Sequence, residues 1–134
     1  MGIKNGFIAD TRLAVSSVRN ALREVNEMLG IKITKAIACI TPVDCAMDIV
    51  FGNVDVIDYN EITGVDVSNV LLDAIKGYEF NNSELVTAMP IYFTVDGKSN
   101  IRDPKEMKGS VLETKSVISM VPKEPLYRIL EVLR

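Results

Sequence analysis

The sequence predicts an α+β fold, a small antiparallel β-sheet with two main helices packed on it and a truncated helix at the C-terminus. Three observations carry this reading. Two segments space their apolar residues by threes and fours, as amphipathic helices do; several short runs have the length and apolar content of strands; and Gly52-Asn53 sits between two of those runs as a tight turn would. With 134 residues, 48% of them hydrophobic, 25% charged and 6% aromatic, the chain suffices for a single domain, 1–134, around one core.

Each element has its own justification. Gly6-Phe7-Ile8-Ala9 reads as a short strand. From Asp10 or Thr11 onward, Val15, Val18, Leu22, Val25 and Leu29 fall on one helical stripe, with Ser16, Arg23, Asn26 and Glu27 opposite. A short polar residue caps its start, and Gly30 supplies the left-handed stop. Residues 35–40, halted at Pro42, read as a strand covered by this helix. Residues 46–51 and 54–57 are the arms of a hairpin turning at Gly52-Asn53. Thr63, with Asp66 three residues on, opens a second helix whose inner face carries Val67, Val70, Leu71, Ala74 and Ile75, and Gly77 ends it. Residues 85–95 form a strand that Pro90 marks as an edge or a bulge, because proline donates nothing to a ladder. Residues 111–121 form another. Pro125 suits the first turn of a third helix, with Leu126, Ile129, Leu130 and Leu133 on its stripe. That stripe reaches the last residues without a C-cap, so the natural chain is expected to continue.

Composition narrows the chemistry. With no histidine, the chain has no Ser/His or Cys/His nucleophile pair, no histidine proton shuttle and no histidine zinc ligand. The expectation is a non-enzyme with no catalytic, cofactor-binding or metal-binding residues. The net charge of −3 and the lack of a Lys/Arg block speak against nucleic acid. Cys39 and Cys45 read as reduced, buried thiols, and no apolar run has the length of a signal peptide core or a membrane span, which makes the expected location cytoplasmic. Gly6 stands where a myristoylation signal needs Ser or Thr. Asp96-Gly97-Lys98-Ser99 ends like a phosphate loop, but Tyr92 occupies the position of its first glycine. In the faint calcium-loop match from Asp58, Ile62 takes a ligand position and Thr63 the place of the turn glycine. Asp103 and Glu106 read as solvated loop carboxylates rather than an acid–base pair.

Charge is unevenly spread. Between Ala36 and Ile75 there are seven acids and no Lys or Arg, so in a chain of net charge −3 the remainder carries +4. Asp55, Asp58, Glu61 and Asp66 are the candidate patch for a basic partner segment.

A family resemblance rests on longer motifs. Glu61-Ile62-Thr63 with Asp66-Val67, the run from Met89-Pro90 through Tyr92 to Val95-Asp96-Gly97, and then Ile101, Asp103, Pro104, Met107, Gly109, Leu112 and Glu113 stand in the order found in bacterial cell-division proteins of the FtsA family. Gly2-Ile3-Lys4-Asn5-Gly6 and Gly30-Ile31-Lys32-Ile33 resemble that family's entry into its subdomain 1C, so the likeness covers nearly the whole chain. Phe93, Asn53, Ala38 and Thr41-Pro42 depart from the pattern without disturbing a fold. The resemblance implies an SHS2 module, ordered strand–helix–strand–strand, over about 6–121, and a helix at 122–134 leading back to an actin-like core.

For function, the resemblance implies an interaction module serving subunit contacts in FtsA filaments and recruiting later division proteins at the septum. Its implied partners are other FtsA subunits and the basic cytoplasmic tails of membrane-anchored division proteins, with FtsZ bound only through other parts of a full-length parent. ATP belongs to that parent alone, and the parent's place is the cytoplasmic face of the inner membrane at the division site. Two alternatives stand beside this: an SHS2 adaptor of a type IV pilus assembly protein from the same actin-like superfamily, and a small-ligand or enzymatic α+β domain using Lys98 or a carboxylate.

Overall fold

The computed structural model describes residues 2–39 and 44–134, which form two compact units. One is continuous, Ala46–Met120; the other is assembled from both flanks, Met1–Cys45 and Val121–Arg134.

In the flanking unit, β1 (Ile3–Lys4) and β2 (Phe7–Ile8) pair antiparallel, turning through Asn5 and Gly6, both at positive φ. The strand expected around Phe7 is therefore one arm of a two-stranded ribbon. Helix α1 (Thr11–Leu29) begins at Asp10, whose Oδ1 accepts the Leu13 N–H at 2.9 Å, and ends at Gly30 with φ 65°. Its packing partner is α3 (Lys123–Leu133), and Ile8, Ala14 and Val132 form the buried centre, flanked by Val15, Val18 and Ile129. Only the N-terminal half of the expected α1 stripe is used, since Leu22, Val25 and Leu29 remain exposed. On α3 the buried residue is Val132, one position away from the expected Leu133.

Two expectations for the segment after α1 are corrected. Residues 35–39 form no strand, because neither sheet supplies them with a neighbour; Ile40 and the stop at Pro42 lie outside the described residues. Without a strand there is no burial: Ile37 is 97% exposed, and Cys39 and Cys45 are exposed instead of core residues.

The continuous unit holds β3 (Ala46–Asp55), α2 (Gly64–Ile75), β4 (Ser83–Val95) and β5 (Lys98–Ile101), together with most of β6 (Val111–Pro122). The sheet order is β3-β6-β4-β5, and β3, α2, β4 and β6 give the strand–helix–strand–strand sequence, with β5 an added short strand. The α+β class holds, and α2 is the main helix that packs on this sheet. The expected hairpin at Gly52-Asn53 is corrected: residues 46–55 run as one strand, paired with β6 from Ala46 opposite Met120 to Asp55 opposite Val111. Gly52 serves a different purpose. A Cβ there would meet the Val70 carbonyl and come within 2.9 Å of Ala74 N, so the missing side chain lets the α2 backbone lie directly on β3.

The hairpin turn falls later, at Asp96 (φ 45°) and Gly97 (φ 81°), joining β4 to β5. The phosphate-loop look of Asp96-Gly97-Lys98-Ser99 is the chemistry of this turn. Pro90 lies on the part of β4 that β5 does not reach, as β5 pairs only at Phe93 and Val95. Two apolar clusters fill the space under α2. Ile62, Val70, Phe93, Val95 and Leu112 form one, and Val50, Ala74, Ile118 and Met120 the other.

Candidate partner-binding surface

Residues 56–63 connect β3 to α2 and are held like an element rather than a free loop. Val56 N–H donates to the Ser110 carbonyl at 2.8 Å, Ile62 N–H to Met107 at 2.8 Å, Gly109 N–H to Tyr59 at 3.0 Å and Glu106 N–H to Ile62 at 2.9 Å. Ile62 is the plug of this connection, 1% exposed in the first apolar cluster. The facing loop, 102–110, is in turn fixed by Asp96, whose carboxylate accepts the Ser110 and Val111 N–H groups at 2.9–3.1 Å. Pro104 is fully buried within it.

On this frame Asp55, Asp58 and Glu61 are exposed. Asp58 shapes the turn as well as carrying charge, accepting the Asn60 N–H at 2.9 Å while its carbonyl accepts the Glu61 N–H at 3.0 Å.

Asp66 does not join them. It is 0% exposed, and its carboxylate accepts Ile57 N–H at 2.9 Å, Thr63 N–H at 2.8 Å and the Thr63 hydroxyl at 2.8 Å, completing a capping box at the start of α2. Burial works against its ionised form, but the hydrogen bonds from Ile57 and Thr63 outweigh that and hold its pKa below the ordinary 3.8. Its charge is consumed inside the protein, so the candidate patch reduces to Asp55, Asp58 and Glu61.

Two further acids of the same window sit where sequence spacing gave no reason to look. Asp48 Oδ1 accepts the Ile49 N–H at 2.8 Å and its Oδ2 the Tyr78 hydroxyl at 2.8 Å, while Asp73 Oδ2 reaches from α2 to the Asn53 N–H at 2.9 Å. The bond to Asp48, helped by partial burial and by the carboxylate charge, raises the Tyr78 pKa above 10.0. Both carboxylates thus lie along the free edge of β3, a location that only the strand order reveals.

The remaining sequence candidates have structural roles or open surroundings. Lys98 is exposed on β5, and Asp103 contacts Lys105 at 3.4 Å. Among the described residues no group of three or more Asp, Glu or Cys is placed to hold a metal ion, and no helix is long and apolar enough to cross a membrane.

The model of the SHS2 domain inserted in FTSA matches residues 47–120, more than half of the chain and nearly coincident with the continuous unit. The chain belongs to this SHS2 family. Cell division protein FtsA of Streptococcus pneumoniae is similar to it at 30% identity over 129 residues, covering 96% of this chain and 28% of the relative. Its counterpart in Enterococcus hirae is 32% identical over 134 residues, covering 96% of this chain and 29% of the relative, and that of Bacillus subtilis 28% identical over 130, covering 96% and 30%. The chain therefore spans less than a third of the length of these curated relatives. The SHS2 unit contains β3, the tied connection 56–63 and all three exposed acids.

Proposed function

We propose that this chain is a non-catalytic protein–protein interaction module of an FtsA-like, actin-family cell-division protein. It serves contacts between subunits in filaments and recruits later division proteins at the septum. The observation that carries this reading is the coincidence of the SHS2 match at 47–120 with a unit that is compact by itself. Relatives described as cell division protein FtsA favour it over the pilus-assembly alternative. Asp55 at the end of β3, and Asp58 and Glu61 exposed on a connection pinned by backbone hydrogen bonds, suit the docking of a basic cytoplasmic tail, because a rigid acidic surface loses little entropy when it binds. In this reading ATP belongs to the parent protein, at the cytoplasmic face of the membrane. The flanking unit, built from chain on both sides of the SHS2 unit, is where the module joins its host, with 122–134 leading back to an actin-like core.

Titration with basic cytoplasmic tails of membrane-anchored division proteins at two ionic strengths tests the proposal. Binding is expected to weaken with salt, and to weaken roughly tenfold when Asp55, Asp58 and Glu61 are all replaced by Lys. Affinity unchanged by either treatment refutes the electrostatic role, and no binding under any condition refutes recruitment.

A further inference from the structure

Strand β3 ends the four-stranded sheet. Its register with β6, together with the bond from Val56 N–H to the Ser110 carbonyl, sets the phase of the ladder: even-numbered residues face β6. Met47, Ile49, Phe51 and Asn53 therefore direct their backbone N–H and C=O groups outward. Two of those N–H groups are covered by carboxylates, Ile49's by Asp48 and Asn53's by Asp73. The edge also has two chemically different sides. Met47 (73% exposed), Ile49 and Phe51 (69%) project from the face away from α2, whereas Asp48 and Asp73 stand on the α2 side.

We propose that this edge receives an extended peptide whose side chains alternate basic and apolar, added as a fifth strand beside β3. An incoming strand puts successive side chains on opposite faces, so one set meets Met47, Ile49 and Phe51 while the other meets Asp48 and Asp73. Cationic side chains give the two carboxylates a new partner and draw them off Ile49 and Asn53, whose N–H groups then pair with the peptide. A strand without cations leaves both donors covered. A second copy of β3 brings its own Asp48 and Asp73 to the same side and is repelled, which selects a basic peptide over self-association. The proposal deepens the recruitment reading, and rests on it only for the claim that the occupant is a protein tail.

The test uses the full 134-residue chain and a ten-residue peptide alternating Lys and Val, compared with an alternating Glu–Val peptide and with one that holds its Lys and Val in separate halves. Only the alternating Lys–Val peptide is expected to saturate, with salt-dependent affinity and slowed amide exchange at Met47 and Phe51. Replacing both Asp48→Asn and Asp73→Asn keeps the acceptors and removes the charge, and is expected to weaken binding about tenfold. Phe51→Pro deletes an outward donor without touching the β6 ladder and is expected to abolish binding. The proposal is overturned if the segregated peptide binds equally well, if the edge amides exchange unchanged in the complex, or if the double variant binds normally. A peptide-free dimer protecting the same amides also overturns it. A division-protein tail that binds Phe51→Pro unchanged refutes edge docking and leaves recruitment standing. A chain that protects its edge with the Lys–Val peptide yet binds no tail does the reverse.

Discussion

Asp66 illustrates how one carboxylate can read as surface charge and act as internal scaffold. Thr63 and Asp66, three residues apart, announce a capping box in the sequence; the third donor, Ile57 N–H, comes from the connection upstream and shuts the carboxylate away from solvent. Its pKa is lowered on folding, so its contribution to stability is complete above the ordinary 3.8 and disappears as pH falls through the folded value. Asp66→Asn is expected to cost about 1–3 kcal/mol at neutral pH, because one oxygen that accepts hydrogen bonds becomes a buried donor facing N–H groups. It is also expected to flatten the acid limb of stability below pH ~4. Urea denaturation across a pH series checks both. Asp58 and Glu61 are readable as exposed acids because they belong to a turn-rich, polar connection, and Asp55 because it closes the strand that leads into it.

The packing of α2 on β3 turns on Gly52. In the sequence, Gly-Asn between apolar runs signals a chain reversal, yet both flanking runs pair with β6 in one uninterrupted register. Glycine is there because a helix backbone approaches, and a helix lying across the sheet leaves no mark in the residues adjacent to that glycine. Gly52→Ala is expected to destabilise the SHS2 unit by about 3 kcal/mol, since the added methyl meets the Val70 carbonyl and Ala74 backbone. Gly64→Ala, at the open start of α2 with nothing within 4 Å, is expected to stay within about 0.5 kcal/mol of the parent. Thermal or chemical denaturation of the two variants side by side separates steric crowding from a general effect of removing glycine. Helices α1 and α2 were legible for the opposite reason: their caps and their spacing by threes and fours are local. Residues 35–39 have the composition of a strand but no neighbour, and composition cannot supply one.

Two compact units arise from a chain whose composition shows no linker at either boundary. Residues 46–120 close their own apolar clusters, so the excised segment is expected to unfold in a single cooperative transition and to keep the slow amide exchange of β6. Loss of that protection in the isolated segment shows that the flanks are required for its stability. The family motifs from Met89 to Glu113 were visible in the linear order, and so was the α+β class, because turn residues, caps and periodicity act between near neighbours. The strand order β3-β6-β4-β5, the burial of Asp66, the free edge guarded by Asp48 and Asp73, and the joining of both flanks into one unit came only with the tertiary structure. Each of these depends on groups far apart in the chain meeting in space, and burial and pairing energies are paid only when they do.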